Sequence, residues 1–125
     1  MRALLLSTYD LGRQPFGLAS PAAFIRDAGY EVDCQDLSVD RLDGDLVRAA
    51  DLVALSLPMH TATRIAAEVL PRIRELNGEA HLCAYGLYAP LAADALRAAG
   101  VDTVLGPEFE PGLVDLCRRL EARAA

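Results

Sequence analysis

The chain has 125 residues, 53% apolar and 24% charged, with 18 acids against 12 bases for a net charge of −6. That describes one ordinary domain, 1–125, rather than a disordered segment or a charged tail. Every base is an arginine, which excludes phosphate-loop lysines, Schiff bases and lysine general bases, and the acidic balance argues against nucleic acid or an anionic membrane as partner.

In chain order, Arg2 to Ser7 is a short apolar run that reads as a buried strand. Phe16 to Ala28 places Leu18, Ala22, Ile25 and Ala28 at helical spacing and stops at Gly29, a C-cap residue. Tyr30 to Gln35 alternates as a strand with one wet face does. Asp43 to Ala50 has the length of a short helix, and Leu52 to Leu57 is a second buried strand closed by Pro58. Thr61 to Leu76 repeats Ile65, Val69, Ile73 and Leu76 as a helical stripe in which Pro71 is expected to introduce a bend. Ala80 to Tyr85 is a strand, Ala89 to Ala99 a helix ended by Gly100, Val101 to Leu105 a strand, and Pro111 to Arg123 a helix with Leu113, Leu116, Cys117 and Leu120 inward.

Strict alternation with short links predicts a parallel sheet covered by helices on both faces. The wetter second strand belongs at an edge, which gives the order 2-1-3-4-5 of a single flavodoxin-like, Rossmann-like three-layer α/β domain. Three separated cysteines, Cys34, Cys83 and Cys117, with no CxxC pair, do not make a disulfide framework or a zinc site. The apolar patch Ala3 to Leu6 is too short for a signal-peptide core, and no apolar run approaches the ~20 residues of a membrane span, so a soluble cytoplasmic domain is expected.

In such sheets ligands bind beyond the carboxyl ends of the strands, where strand order reverses. Five loops form that edge: 8–16, 36–42, 58–61, 86–90 and 106–110. Gly12 and Gly17 lack the GxGxxG spacing, and Ser7, Thr8 and Gly12 only loosely echo a flavin phosphate loop. A phosphoacceptor receiver would need an aspartate where Leu57-Pro58-Met59 stands and a lysine after the fifth strand.

Gln14-Pro15-Phe16-Gly17-Leu18-Ala19, then Ala22-Ala23-Phe24-Ile25-Arg26 and Gly29-Tyr30-Glu31-Val32, resemble the start of the cobalamin-binding domain of radical S-adenosylmethionine enzymes, with its Pro-Leu-Gly-Leu opening and Gly-His-Glu-Val strand entry. The resemblance continues through Ala50-Asp51-Leu52-Val53, Gly86, and Gly100-Val101-Asp102-Thr103-Val104 into Gly106-Pro107-Glu108-Phe109-Glu110, which is similar to the Gly-Glu-Gly-Glu turn of those domains. It covers essentially the whole chain. The runs 57–63 and 82–88 look most like a branch of these enzymes with a cysteine- or selenocysteine-containing tail.

Two departures shape what the resemblance implies. The DxHxxG loop that supplies a lower histidine ligand to cobalt is replaced by Asp10-Leu11-Gly12-Arg13-Gln14-Pro15, so cobalamin would bind base-off, without that ligand. No CxxxCxxC motif is present to hold an iron–sulfur cluster, so this chain would present B12 to a radical S-adenosylmethionine catalytic module that lies outside it.

The implied cofactor-binding residues are Asp10, Gly12, Arg13, Gln14, Phe16, Gly17, Ser56, His60, Tyr85, Gly86, Tyr88, Gly106 and Glu108, with no catalytic residue and no metal ligand. Glycines and Ala19 would let the corrin approach closely, or they are plain turn and cap residues. The nucleotide tail would enter the sheet edge beside Ser56, Tyr85, Gly86 and Tyr88. His60 follows the third strand and either touches the ligand or belongs to a helix cap, whereas His81 opens the fourth strand at the opposite end and reads as structural. Asp10, Arg13 and Gln14 either orient ligand amides or make an ordinary polar loop. Glu108 and Glu110 suit the dipole of the last helix, and the cysteines read as core residues. Two other readings stand beside this one: a degenerate domain without cofactor that mediates protein contact, expected to have Met59, Tyr85 and Tyr88 packed across its edge, and a flavin or nucleotide binder with a phosphate nest at 7–12.

Overall fold

The computed structural model describes residues 1–8 and 16–124. Five strands and five α-helices alternate: β1 (Arg2–Ser7), α1 (Phe16–Asp27), β2 (Glu31–Asp36), α2 (Gly44–Ala49), β3 (Leu52–Ser56), α3 (His60–Leu76), β4 (His81–Tyr85), α4 (Ala93–Ala98), β5 (Thr103–Leu105) and α5 (Glu110–Ala124). All neighbouring strands are parallel, in the order β2-β1-β3-β4-β5. The alternation along the chain therefore translates directly into a three-layer sandwich.

Two cores result from one sheet. Leu4, Leu6, Val53, Leu55, Leu82 and Ala84 point to the side covered by α2, α3 and α4. Ala3, Leu5, Leu52, Ala54, Cys83 and Tyr85 point to the side covered by α1 and α5. Because β1, β3 and β4 are buried on both faces, they read as near-continuous apolar runs, as interior parallel strands must. β2 lies at the edge as expected, but Val32 is its one buried residue and Cys34, expected in the core, is exposed because the edge strand lacks a covering neighbour there. Arg2 reaches across from β1 to Glu31 and to Asp33 (2.8 Å) on this wet face.

Local signals explain most boundaries. Asp43 caps α2 by accepting from the N–H groups of Asp45 (2.9 Å) and Leu46 (3.3 Å). α1 closes where the Gly29 N–H bonds back to the Arg26 carbonyl (2.9 Å). α3 runs through the exposed Pro71 to Leu76. The helix expected over Ala89 to Ala99 is instead a 3-10 turn, Pro90–Ala92, followed by the shorter α4. Ala92 leaves helical geometry (φ −107°, ψ 13°), so the proline opens a tight turn rather than the long helix.

At the amino edge of the sheet, side chains bind the elements together. Asn77 Nδ2 donates to the carbonyls of Val47 (2.9 Å) and Ala50 (2.8 Å), while its Oδ1 accepts from the N–H groups of Glu79 (3.1 Å) and Ala80 (3.0 Å). Arg74 Nη1 donates to the carbonyls of Gly78 (2.9 Å) and Ala80 (3.0 Å). Asp51 accepts from the Arg2 N–H (2.8 Å) and Asp102 from the Leu82 N–H (2.9 Å).

Candidate functional site

The carboxyl ends of the strands are in register. Asp36, Ser7, Ser56, Tyr85 and Leu105 stand opposite one another across all five strands and form one level of the sheet. Strand alternation turns Ser7, Ser56 and Tyr85 toward the side of α1 and α5, the side on which Leu5, Ala54 and Cys83 lie two residues earlier. This level closes the core at the point where strand order reverses, β1 leading outward to β2 and β3 leading the other way.

Hydroxyls are buried there. Ser7 is 1% exposed and its Oγ has no hydrogen-bond partner among the described residues. Thr8, also buried, donates to the Ala62 carbonyl in the first turn of α3 (2.9 Å). Ser56 is buried against α1, where a Cβ added to Gly17 would overlap its Oγ, so the first turn of α1 rests its bare backbone on the end of β3. The sequence singled out Gly17 and Ser56. Ser7 entered only through the weak flavin echo, although a hydroxyl closing an apolar strand is the visible signal.

Tyr85 differs from expectation. Rather than lining an open edge, it is fully buried, donates its hydroxyl to the Gly17 carbonyl and packs on Phe109 (ring centroids 4.6 Å apart). Burial holds the phenol well above its ordinary pKa, opposed by the Ser56 hydroxyl, so Tyr85 is a neutral donor at physiological pH. Phe109 was not among the expected site residues; its position between Glu108 and Glu110 at the start of α5 gave it only motif value.

A second group surrounds the mouth between β3 and β4. Gly86 has φ +118°, and a Cβ there would lie 3.0 Å from the Leu57 carbonyl oxygen, so only glycine fits this turn without strain. The Tyr88 N–H donates to that same carbonyl (3.0 Å), which places the Tyr88 ring edge-on to His60 (5.4 Å, 77°). His60 is the first residue of α3 and is exposed. Gly106 lies against Pro90, and Glu108 is exposed ahead of α5. Leu87 and Leu91 on the same edge are 67% and 77% exposed. Asp10, Gly12, Arg13 and Gln14 lie outside the described residues, as does the side chain of Phe16.

Of these hydroxyls, Ser7 is the one left free among the described residues to pair with an amide of a corrin's periphery. The space between α1 and the sheet does not fit a corrinoid's nucleotide tail, because Tyr85 fills it and the Gly17–Ser56 contact leaves no room for a methyl group. Among the described residues no group of three His, Cys, Asp or Glu side chains is placed to hold a metal, and no helix is long and apolar enough to cross a membrane. Open grooves do exist at the amino edge, one of about 520 Å³ beside Asp51, Arg74, His81, Asp102 and Arg123. There His81 Nε2 lies 2.7 Å from the Thr103 hydroxyl, and burial lowers its pKa, as a structural histidine's would be.

No protein-family model and no curated protein matches the chain. Solved structures do. A putative pilus assembly-related protein from Burkholderia pseudomallei shares 26% identity over 100% of this chain and 92% of that one, with a TM-score of 0.69. A flavodoxin from the domain Archaea superposes with a TM-score of 0.70 at 11% identity over 97% and 99% of the two chains. The monomethylamine corrinoid protein of Methanosarcina barkeri gives 0.65 at 12% identity, over 92% of this chain and 57% of that one. Receiver domains of response regulators share the architecture too. The chain is thus a single flavodoxin-like α/β domain, of a fold common to flavodoxins, receivers and corrinoid proteins.

Proposed function

We propose that this domain binds a corrinoid across the carboxyl edge of its sheet and presents it to a radical S-adenosylmethionine catalytic module outside this chain. The sequence resemblance over the whole length supports this, and the fold is one that a corrinoid protein uses. The observation that carries it is Ser7, a buried hydroxyl without a partner among the described residues, beside Ser56 at the crossover of the sheet. A buried polar group left unpaired costs about 1–3 kcal/mol, so a protein that keeps one at a ligand edge gains by pairing it with a ligand. Without a histidine in the loop 9–15 the corrinoid would be held base-off. The domain's own residues bind and orient; the bound corrinoid supplies the cobalt chemistry. Flavin binding has less support, since Ser7, Thr8 and Gly12 only loosely echo a flavin phosphate loop.

Titration with hydroxocobalamin and with diaquocobinamide, followed by gel filtration and visible absorbance, tests the proposal. Retained colour with either corrinoid, lost in Gly86→Trp with the fold preserved by circular dichroism, is the expected result. No retained colour with either would favour a second reading, a cofactor-free domain for protein contact. One observation favours that reading: Tyr85 closes the edge from inside while Leu87 and Leu91 stand exposed on it.

A further inference from the structure

We infer that this domain selects a corrinoid that lacks a nucleotide tail, because Tyr85 already fills the slot the tail would need. The inference rests on the corrinoid reading above and specifies its ligand. A tail inserted alongside the sheet at the crossover has to pass between the first turn of α1 and the level formed by Ser7, Ser56 and Tyr85. Three contacts close that passage. The Tyr85 ring is fully buried and packs on Phe109, its hydroxyl holds the Gly17 carbonyl, and the Gly17 backbone sits directly on Ser56 Oγ. A base with its ribose and phosphate is far larger than the methyl group that the Gly17–Ser56 contact already excludes.

Admitting a tail would therefore require the largest side chain of this core to leave it, with loss of its hydrogen bond and its aromatic contact. A corrin ring lying over the strand ends makes no such demand. The turn at Gly86 and the pair His60 and Tyr88 flank that surface from β3 and β4 without entering the core. Tyr85 is thus the residue that sets which corrinoid is accepted.

The experiment compares the dissociation constants of diaquocobinamide, which lacks the nucleotide, and hydroxocobalamin for the wild-type chain and for Tyr85→Ala and Tyr85→Phe. The wild type is expected to bind cobinamide about tenfold or more tightly than cobalamin, the penalty of displacing one buried side chain. Tyr85→Ala is expected to bring the two within about threefold by strengthening cobalamin, while Tyr85→Phe, which keeps the ring, retains the preference. Equal or tighter binding of cobalamin by the wild type overturns the inference and leaves corrinoid binding intact. So does an unchanged ratio in a folded Tyr85→Ala. Should that variant fail to fold, the wild-type ratio and Tyr85→Phe still decide. If wild type and variants bind neither corrinoid, the corrinoid reading itself falls and the selection with it.

Discussion

The Tyr85 hydroxyl donates to the Gly17 carbonyl and so ties the end of β4 to the first turn of α1 across the interior of the domain. Replacing Tyr85 with phenylalanine keeps the ring on Phe109 and removes the hydroxyl, with this bond and its interaction with Ser56. We expect a loss of about 1–1.5 kcal/mol in urea denaturation with the slope unchanged. An unchanged midpoint would mean that the bond contributes nothing to stability.

Gly17 and Ser56 should be strongly coupled. Gly17→Ala pushes a methyl group into the Ser56 hydroxyl and is expected to cost about 1–3 kcal/mol. Ser56→Ala, added to it, should recover about 1 kcal/mol of that loss, because the clashing atom is gone. Additive effects in the double-mutant cycle would contradict the contact.

The Asn77 side chain makes five bonds that join α2, α3 and the entry to β4, the longest to the Arg48 carbonyl (3.4 Å). Asn77→Ala should lower stability by about 2–4 kcal/mol, and Asn77→Asp, which keeps the acceptor and loses the donors, should fall between. Thermal melts of the three proteins provide the ranking.

Thiol reactivity and pH report the same core. Cys34 is exposed and should react with an aromatic disulfide reagent in the folded state, while Cys83 and Cys117 wait for unfolding. Burial pushes the Cys83 thiol up to about 12 and Cys117 up to about 11, from an ordinary 9.0. Above pH 9 the unfolded chain releases these protons before the folded one does, so stability should fall as pH rises, further once the unfolded Tyr85 phenol ionises. On the acid side, burial lowers the pKa of His81, so the unfolded chain takes up a proton first and stability should drop as pH falls below 6.5. A melting temperature that keeps rising from pH 8 to pH 11 would contradict the alkaline half.

Strand order was legible because period-2 and period-3.6 stretches alternate and β2 alone is wet on one face. The 3-10 turn at Pro90 was not, since alanines on both sides of a proline suit a continuous helix as well. For the site, the hydroxyl and glycine types were readable and the occupancy of the space was not. Tyr85 shows why: a tyrosine at a strand end suggests a ligand contact by type, while its two-residue spacing from Cys83 assigns it to the core. Asn77 carried no sequence signal because its partners are backbone groups that only the folded chain assembles.

Among the described residues the two ends of the sheet are held unequally. Asn77, Arg74, Asp51 and Asp102 lace the amino end, whereas among the described residues the Tyr85–Gly17 and Thr8–Ala62 bonds are the main side-chain ties between helix and strand at the carboxyl end. Local opening should therefore begin at one pole, with amide hydrogens near Ser7, Ser56 and the start of α1 exchanging well before those near Leu52 and Leu82. The domain would breathe from its carboxyl end, with its amino end as a fixed hinge.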